Sequence, residues 1–267
     1  MIDLSQAVFL AVLQGLTEFL PISSSAHLLL PSLLLGWADQ GLAFDVAVHV
    51  GTLSAVLFYY REDLLRMVNR WLRSLAGAPP CEDSRMVWYL GLATIPAGLA
   101  GLFGGDFIEE NLRTLPLIAT TTLVFGILLG IADRRAAHSG PGRPLGLAVA
   151  LLVGLSQALA PVPGVSRSGI TMTAALLLGM NRQASARFSF LLSIPIITSA
   201  GLLMVFDLAG GDQAVNWFLM GVGAVVSGIA AYLCIATFLR LLDKVGFMPF
   251  VYYRIGLAGV LYFLWLA

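Results

Sequence analysis

Apolar runs of about 20 residues recur along this chain, and no other feature limits its fold as severely. A helix of that length crosses the ~30 Å hydrocarbon layer of a bilayer. Only helices and closed barrels satisfy every backbone polar group there. The composition agrees: of 267 residues, 58% are hydrophobic and 11% are charged, against roughly 25% charged in soluble domains, and the mean hydropathy is +0.89. A barrel would show alternating segments of about ten residues, and none is present. The reading is an all-α polytopic membrane protein, one integral domain over residues 1–267. Six spans are expected, at about 43–60, 86–104, 114–133, 187–208, 214–241 and 249–267. Two further apolar regions, 5–36 and 145–180, are interrupted by "FLPISSSAH" and "LAPVPGVSRSG". Each reads as helix, proline-bearing polar turn and second short helix. Broken backbone survives at membrane depth only where protein or trapped water satisfies it, so each is expected to be a re-entrant helical hairpin.

Charge placement orients the spans. Arg61, Arg66, Arg70, Arg73 and Arg85 follow the first span, and Arg134, Arg135 and Arg143 the third. Arg182 and Arg187 follow the second hairpin, and Arg240 and Lys244 the fifth span. In the six-span arrangement these twelve of the 15 Lys and Arg residues share one face, which the positive-inside rule makes cytoplasmic. The opposite loops carry Asp106, Glu109, Glu110, Asp207 and Asp212 with Arg113. Arg254, near the start of the last span, is expected to snorkel to the cytoplasmic surface, leaving Arg167 as the single basic residue at depth. The N-terminus lacks the basic region of a cleavable signal. Cys81 in a polar loop and Cys234 in an apolar span do not suggest a disulfide. The net charge of zero says nothing about partners; nucleic acid is not expected as one.

An internal repeat follows. "GLTEFLP" (15–21) resembles "GLSQALAP" (154–161), "LLLG" ends at Gly36 and again at Gly179, and Phe44 and Phe188 open the next span in each copy. Three spans separate the hairpins, so the second copy (about 145–267) is inserted upside down relative to the first (about 1–135). The two tips then meet inside the bilayer, as at the inverted-repeat sites of transporters.

Ionisable groups at depth are functional candidates by default: Glu18, His27, Asp45, His49 and Arg167. Gly164 and Gly169 let the backbone around Arg167 bend and approach a ligand. Ser166, Ser168 and Thr171 add hydroxyls at the start of a helix whose free N–H groups, with the guanidinium, suit a phosphate. A structural arginine bonded to carbonyls of the other hairpin is the alternative. Gln14 and Glu18, four apart, share a helix face and lead into Ser23, Ser24, Ser25 and His27, the parts for nucleophilic or acid–base chemistry. Asp45 and His49, also four apart, are either orienting residues behind the site or a polar stripe.

These two stretches, "QGLTEFLPISSSAH" and "PGVSRSGIT", make the chain resemble the bacterial undecaprenyl-diphosphate phosphatase family, also called bacitracin-resistance proteins. Its members carry (E/Q)-x-x-x-E, matched by Gln14 and Glu18, and P-G-x-S-R-S-x-x-T, matched by Pro163, Gly164, Ser166, Arg167, Ser168 and Thr171. The likeness extends through "FDVAVHVGT" and "FMPFVYYR". It departs at Ala26, where members often have glycine. The resemblance implies hydrolysis of undecaprenyl diphosphate to the monophosphate at the outer face of the bacterial inner membrane, recycling the carrier lipid for cell-wall synthesis and conferring bacitracin resistance. It also implies a divalent cation, Mg²⁺ or Ca²⁺, for which Glu18 is the anchor, since Mg²⁺ is held by one or two carboxylates plus substrate phosphates. The expected partners are the polyprenyl diphosphate and the bilayer; a homodimer is compatible.

On this reading Arg167 and the N–H groups near Ser168, Gly169 and Thr171 bind phosphates, Gln14, Ser23 and Ser166 assist, Ser24 attacks the terminal phosphorus and His27 handles its proton. Direct attack by His27, and water activated by Glu18, stay open. The rival from another class is a transporter or flippase of the polyprenyl phosphate. Inverted repeats suit a carrier, whereas a serine, imidazole and carboxylate together suit an enzyme.

Overall fold

The structure, a computed structural model, describes residues 2–38, 40–137, 142–209 and 216–266. Asp212 and the start of the fifth expected span lie outside them. Among the described residues there are eleven helices and no strand. Six are long and apolar enough to cross a membrane: α3 (Leu42–Tyr59), α5 (Glu82–Asn111), α6 (Leu115–Ala137), α9 (Arg182–Ala209), α10 (Trp217–Val245) and α11 (Met248–Leu266). Each corresponds to one expected span. Several run further than their apolar stretch, α5 from Glu82 rather than 86 and α9 from Arg182 rather than 187. Charged residues end a hydropathic run but not a helix, which continues into the interface.

Four shorter helices form two pairs: α1 (Leu4–Thr17) with α2 (Ser24–Leu35), and α7 (Leu147–Gln157) with α8 (Arg167–Leu177). At 1.5 Å per residue each is roughly 16 to 21 Å long, too short to cross alone. α1 starts at a capping box: Gln6 N–H donates to Asp3 Oδ1 at 2.8 Å, and Asp3 N–H donates to Gln6 Oε1 at 3.0 Å, satisfying two orphan donors at once.

The remaining helix, α4 (Arg61–Leu75), occupies what the charge pattern suggested was a loop. Its apolar residues fall on one face and its arginines on the other, a pattern shorter than a span but sufficient for an interfacial helix. Met67 is buried, and Trp71 meets Trp88 of α5 edge-on at 5.7 Å. Asp63 pairs with Arg66 at 2.6 Å and with Arg187 of α9 at 2.8 Å, so the helix is tied to the bundle at its first turn.

The short pairs are held between the long helices. α1 packs on α10 and α7 on α5; α8 packs on α6 and on α9; α3 packs on α9 and α10, and α6 on α11. Close approach requires glycine in both α1 and α7. A Cβ on Gly15 would lie 2.6 Å from Ser227 O and from Ala230 Cβ of α10, and one on Gly154 would lie 2.4 Å from Ala93 O of α5. The core runs through Phe19, Phe188, Phe190, Leu191, Phe238 and Phe247. Large apolar side chains such as Phe103, Phe218 and Phe263 point outward, as lipid demands.

Candidate active site

The two turns, 18–23 and 158–166, meet in the interior. Ser23 (φ 74°) and Ser166 (φ 71°) are the only non-glycine residues with positive φ among the described residues, and each caps the second helix of its pair. Such a conformation costs on the order of 1–3 kcal/mol and persists only where its surroundings impose it, typically at functional sites. The hydroxyls repeat the match: Ser23 Oγ lies 3.2 Å from Ser25 Oγ, and Ser166 Oγ lies 3.2 Å from Ser168 Oγ.

Two contacts join the turns. Arg167 Nη2 donates to Glu18 Oε1 at 2.8 Å, and Ser168 Oγ donates to Leu20 O at 2.8 Å. Glu18 is buried and accepts on its other oxygen from Gln14 Nε2 at 3.0 Å and from Ser24 Oγ at 2.8 Å. His49 Nε2 stands 4.0 Å from the same oxygen. The His49 ring is aimed by its Nδ1–H, which donates to Asp45 O at 2.7 Å, so Asp45 orients it through its backbone rather than its carboxylate. Arg167 also donates from Nη1 to Ser189 O at 3.2 Å and lies over the Phe19 ring. A guanidinium has five N–H donors, so three remain for a ligand among the described residues.

These groups line a cleft of about 390 Å³, whose polar wall is Glu18, Ser23, Ser24, Ser25, His49, Gln157, Ser166 and Arg167. The apolar wall is Ala97 and Gly101 of α5 with Ile196, Ile197, Ala200 and Met204 of α9. A larger groove of about 480 Å³ between α3 and α10 is almost wholly apolar and holds no comparable chemistry.

Other expected site residues lie behind the cleft. His27 is buried outside its lining, with both ring nitrogens engaged: Nδ1 bonds Ser23 O and Nε2 bonds Tyr253 Oη, each at 2.6 Å. A carbonyl only accepts, so Nδ1 carries the proton and Nε2 accepts from the tyrosine. That ring holds the strained serine and does not face the Ser24 hydroxyl. Gly169 N–H donates to Ser166 Oγ at 3.1 Å, and Thr171 Oγ1 lies 2.7 Å from Ser189 Oγ and donates to Arg167 O at 2.8 Å. Ser168, Gly169 and Thr171 thus build the turn and do not line the cleft.

Arg254 reverses its expectation. It does not snorkel; it is wholly buried and binds five carbonyls. Nη1 donates to Pro21 O and Val165 O at 3.2 Å, Nη2 to Gly164 O at 2.7 Å and Thr121 O at 3.5 Å, and Nε to Thr122 O at 3.0 Å. Two broken helices leave carbonyls without N–H partners, and a guanidinium is the one side chain with five donors. Sequence reasoning considered that structural role for Arg167, but Arg254 fills it for both turns. A second residue it missed is Gln157, wholly buried at the end of α7 and part of the cleft wall.

No three His, Cys, Asp or Glu side chains converge among the described residues, so an all-protein cation cage is absent there. The donor set does fit a cation shared with a ligand's oxygens: the Glu18 carboxylate, with the buried Gln14 Oε1 beside it lacking a hydrogen-bond partner.

Known proteins resemble this chain over nearly its whole length. The family model for bacitracin resistance protein BacA matches residues 7–260. The undecaprenyl-diphosphatase of Saccharophagus degradans is 55% identical over 266 residues, covering 99% of this chain and 100% of that protein. The undecaprenyl-diphosphatases of Teredinibacter turnerae and Colwellia psychrerythraea are 53% and 55% identical, covering 98% and 97% of this chain and 99% and 98% of their own.

Proposed function

The chain belongs to the bacitracin resistance protein BacA family, and on that premise we propose how its cleft works. The protein is a membrane-embedded undecaprenyl-diphosphatase: it hydrolyses undecaprenyl diphosphate to undecaprenyl phosphate and inorganic phosphate, recycling the carrier lipid. The carrying observation for the mechanism is the Ser24–Glu18–Arg167 chain, with contacts of 2.8 Å on either side of the carboxylate.

In this reading the prenyl chain lies along the α5–α9 wall and the diphosphate enters the polar end. Ser24 Oγ attacks the terminal phosphorus and its proton passes to Glu18 Oε2. The bond to the bridging oxygen breaks as Glu18 hands that proton to it, and undecaprenyl phosphate departs, leaving Glu18 ionised again. Water, giving its proton to Glu18, then attacks the phosphoserine; the Ser24 Oγ–phosphorus bond breaks, Oγ takes the proton back from Glu18, and phosphate is released. Arg167 trades part of its contact with Glu18 for the phosphoryl oxygens and stabilises their charge in the transition state, the main protein contribution in phosphoryl transfer. His27 takes positioning rather than proton transfer, because both of its nitrogens are occupied; His49, opposite Glu18, is the imidazole on the cleft. Glu18 and Gln14 hold the Mg²⁺ or Ca²⁺, which when bound neutralises phosphate charge.

The same reading takes α1–α2 and α7–α8 as re-entrant hairpins of two inverted repeats, about 1–135 and 145–267. The matched serines, the matched glycines and the exchange of α1 on α10 for α7 on α5 support it. It places the protein in the inner membrane with the cleft opening to the periplasm.

The test is rapid quench with undecaprenyl diphosphate labelled in the terminal phosphate, in detergent, with and without chelator. Label on Ser24, lost in Ser24→Ala, is expected, and chelation slows turnover. Full turnover with no label on the protein would refute the serine route. Detergent removes sealed compartments, so phosphate release there also separates hydrolysis from transport.

A further inference from the structure

Gln157 is wholly buried, and neither Nε2 nor Oε1 has a hydrogen-bond partner among the described residues. Buried amides are almost always bonded, and an exception calls for an explanation. This one lies in the wall of the cleft that holds Glu18, Ser24 and Arg167. The sequence repeat sets Gln157 against Glu18, and each stands where the first helix of its pair gives way to the turn. On the first turn that position is a carboxylate satisfied by three donors; on the second it is a neutral amide satisfied by none.

The helix carrying Gln157 is fixed in place. Gly154, one turn earlier, brings α7 against the backbone of α5 at Ala93, closer than any Cβ would permit, so the backbone that carries the amide cannot shift toward another partner. Ala160, Pro161, Ser166 and Arg167 line the same cleft. A ligand rich in acceptors would meet Arg167 and the Gln157 N–H groups together.

We propose that Gln157 is a substrate-binding residue whose amide N–H donates to a non-bridging oxygen of the diphosphate, leaving Oε1 for a water on the same group. The inference rests on the phosphatase reading above and deepens it. A second carboxylate at this place would repel the diphosphate. The neutral mate of Glu18 therefore lets one half of the site supply the acid while the other receives the anion.

The test uses Gln157→Met, similar in length and without the amide, with Gln157→Glu as its companion. Undecaprenyl diphosphate hydrolysis gives KM and kcat, and a non-hydrolysable prenyl methylenediphosphonate gives the ligand-induced rise in Tm. Losing a hydrogen bond to a charged group should raise KM roughly 10- to 100-fold in Gln157→Met, with a smaller change in kcat. The ligand-induced rise in Tm should shrink, while the ligand-free Tm equals or exceeds that of the wild type because an unpaired buried amide has gone. Gln157→Glu should bind more weakly still. Unchanged KM and ligand-induced Tm would overturn the proposal. So would a ligand-free Tm well below wild type in Gln157→Met, since the amide would then have had a partner already. The Tm measurement needs no turnover. A wild type that binds the diphosphonate but releases no phosphate would therefore sink the phosphatase reading without touching Gln157.

Discussion

Replacing Arg254 by lysine keeps the charge and removes the geometry. The guanidinium serves five carbonyl oxygens, four at 2.7–3.2 Å and one at 3.5 Å. An ammonium has three donors on one atom, so at least two carbonyls lose their partner in a site sealed from water. Each orphaned group costs about 1–3 kcal/mol, giving roughly 2–6 kcal/mol, a large part of the 5–15 kcal/mol that typically holds a fold. For a chain of this size that lowers Tm on the order of 10 °C. Three of the five carbonyls, Pro21 O, Gly164 O and Val165 O, lie on the turns themselves, so loosening the clamp also shifts Ser24 and Arg167 relative to each other, and a displacement near 1 Å costs roughly 100-fold in rate. Thermal unfolding in detergent and phosphate release from undecaprenyl diphosphate measure the two effects, with the exposed Arg240→Lys as a neutral control. If Arg254→Lys kept wild-type Tm and turnover, the clamp would be no more than a packing contact.

Arg167→Lys should behave differently. It loses the planar fork that grips phosphate, so turnover falls by roughly 100-fold or more with little change in ligand-free Tm; near-normal turnover would make Arg167 structural. Gly154→Ala forces a Cβ to 2.4 Å from Ala93 O, an overpacking cost of about 1–3 kcal/mol visible as a lower Tm. Gly91→Ala, with open space around it, should leave Tm unchanged, and equal behaviour of the two variants would count against the close α5–α7 contact. For α4, burial opposes ionisation of Asp63, but the hydrogen bonds from Arg66 and Arg187 prevail and hold its carboxyl below the ordinary 3.8. A depressed carboxyl stabilises above its unfolded value and loses that contribution as pH falls through the folded one. Protection factors over 61–75, corrected for the intrinsic pH dependence of amide exchange, should therefore be high at neutral pH and fall below about pH 4. Asp63→Asn should exchange fast throughout, and a protected α4 in that variant at pH 7 would refute the anchor.

The six spans were legible because lipid imposes a length on each helix and a charge asymmetry on its flanks. The two broken regions were legible because proline and serine inside apolar runs have no other use at depth. Glu18, Ser24 and Arg167 could be paired across the chain because few polar residues are available to share a buried site. The role of Arg254 is not legible for the opposite reason: "VYYRIGL" looks like an interfacial anchor, and its partners are backbone carbonyls, which leave no mark in sequence. The signal was there indirectly, since two interrupted helices must strand acceptors that something has to serve. Adjacency in sequence suggests that His27 serves Ser24, but its ring nitrogens are taken by Ser23 O and Tyr253 Oη, partners that sequence spacing does not reveal. Helix α4 is hard to see in the sequence because its many arginines mask the amphipathic spacing of its apolar residues.

The position of Arg254 on α11 also has a consequence in time. Synthesis delivers both turns well before that helix, so a nascent chain holds two bends whose acceptors still face lipid or stray water. Arrival of the final guanidinium locks them into one shape. A chain stalled or truncated ahead of it carries every reactive group and yet has nothing to keep them aligned, so catalytic competence is conferred late, by a residue that never meets the lipid being hydrolysed.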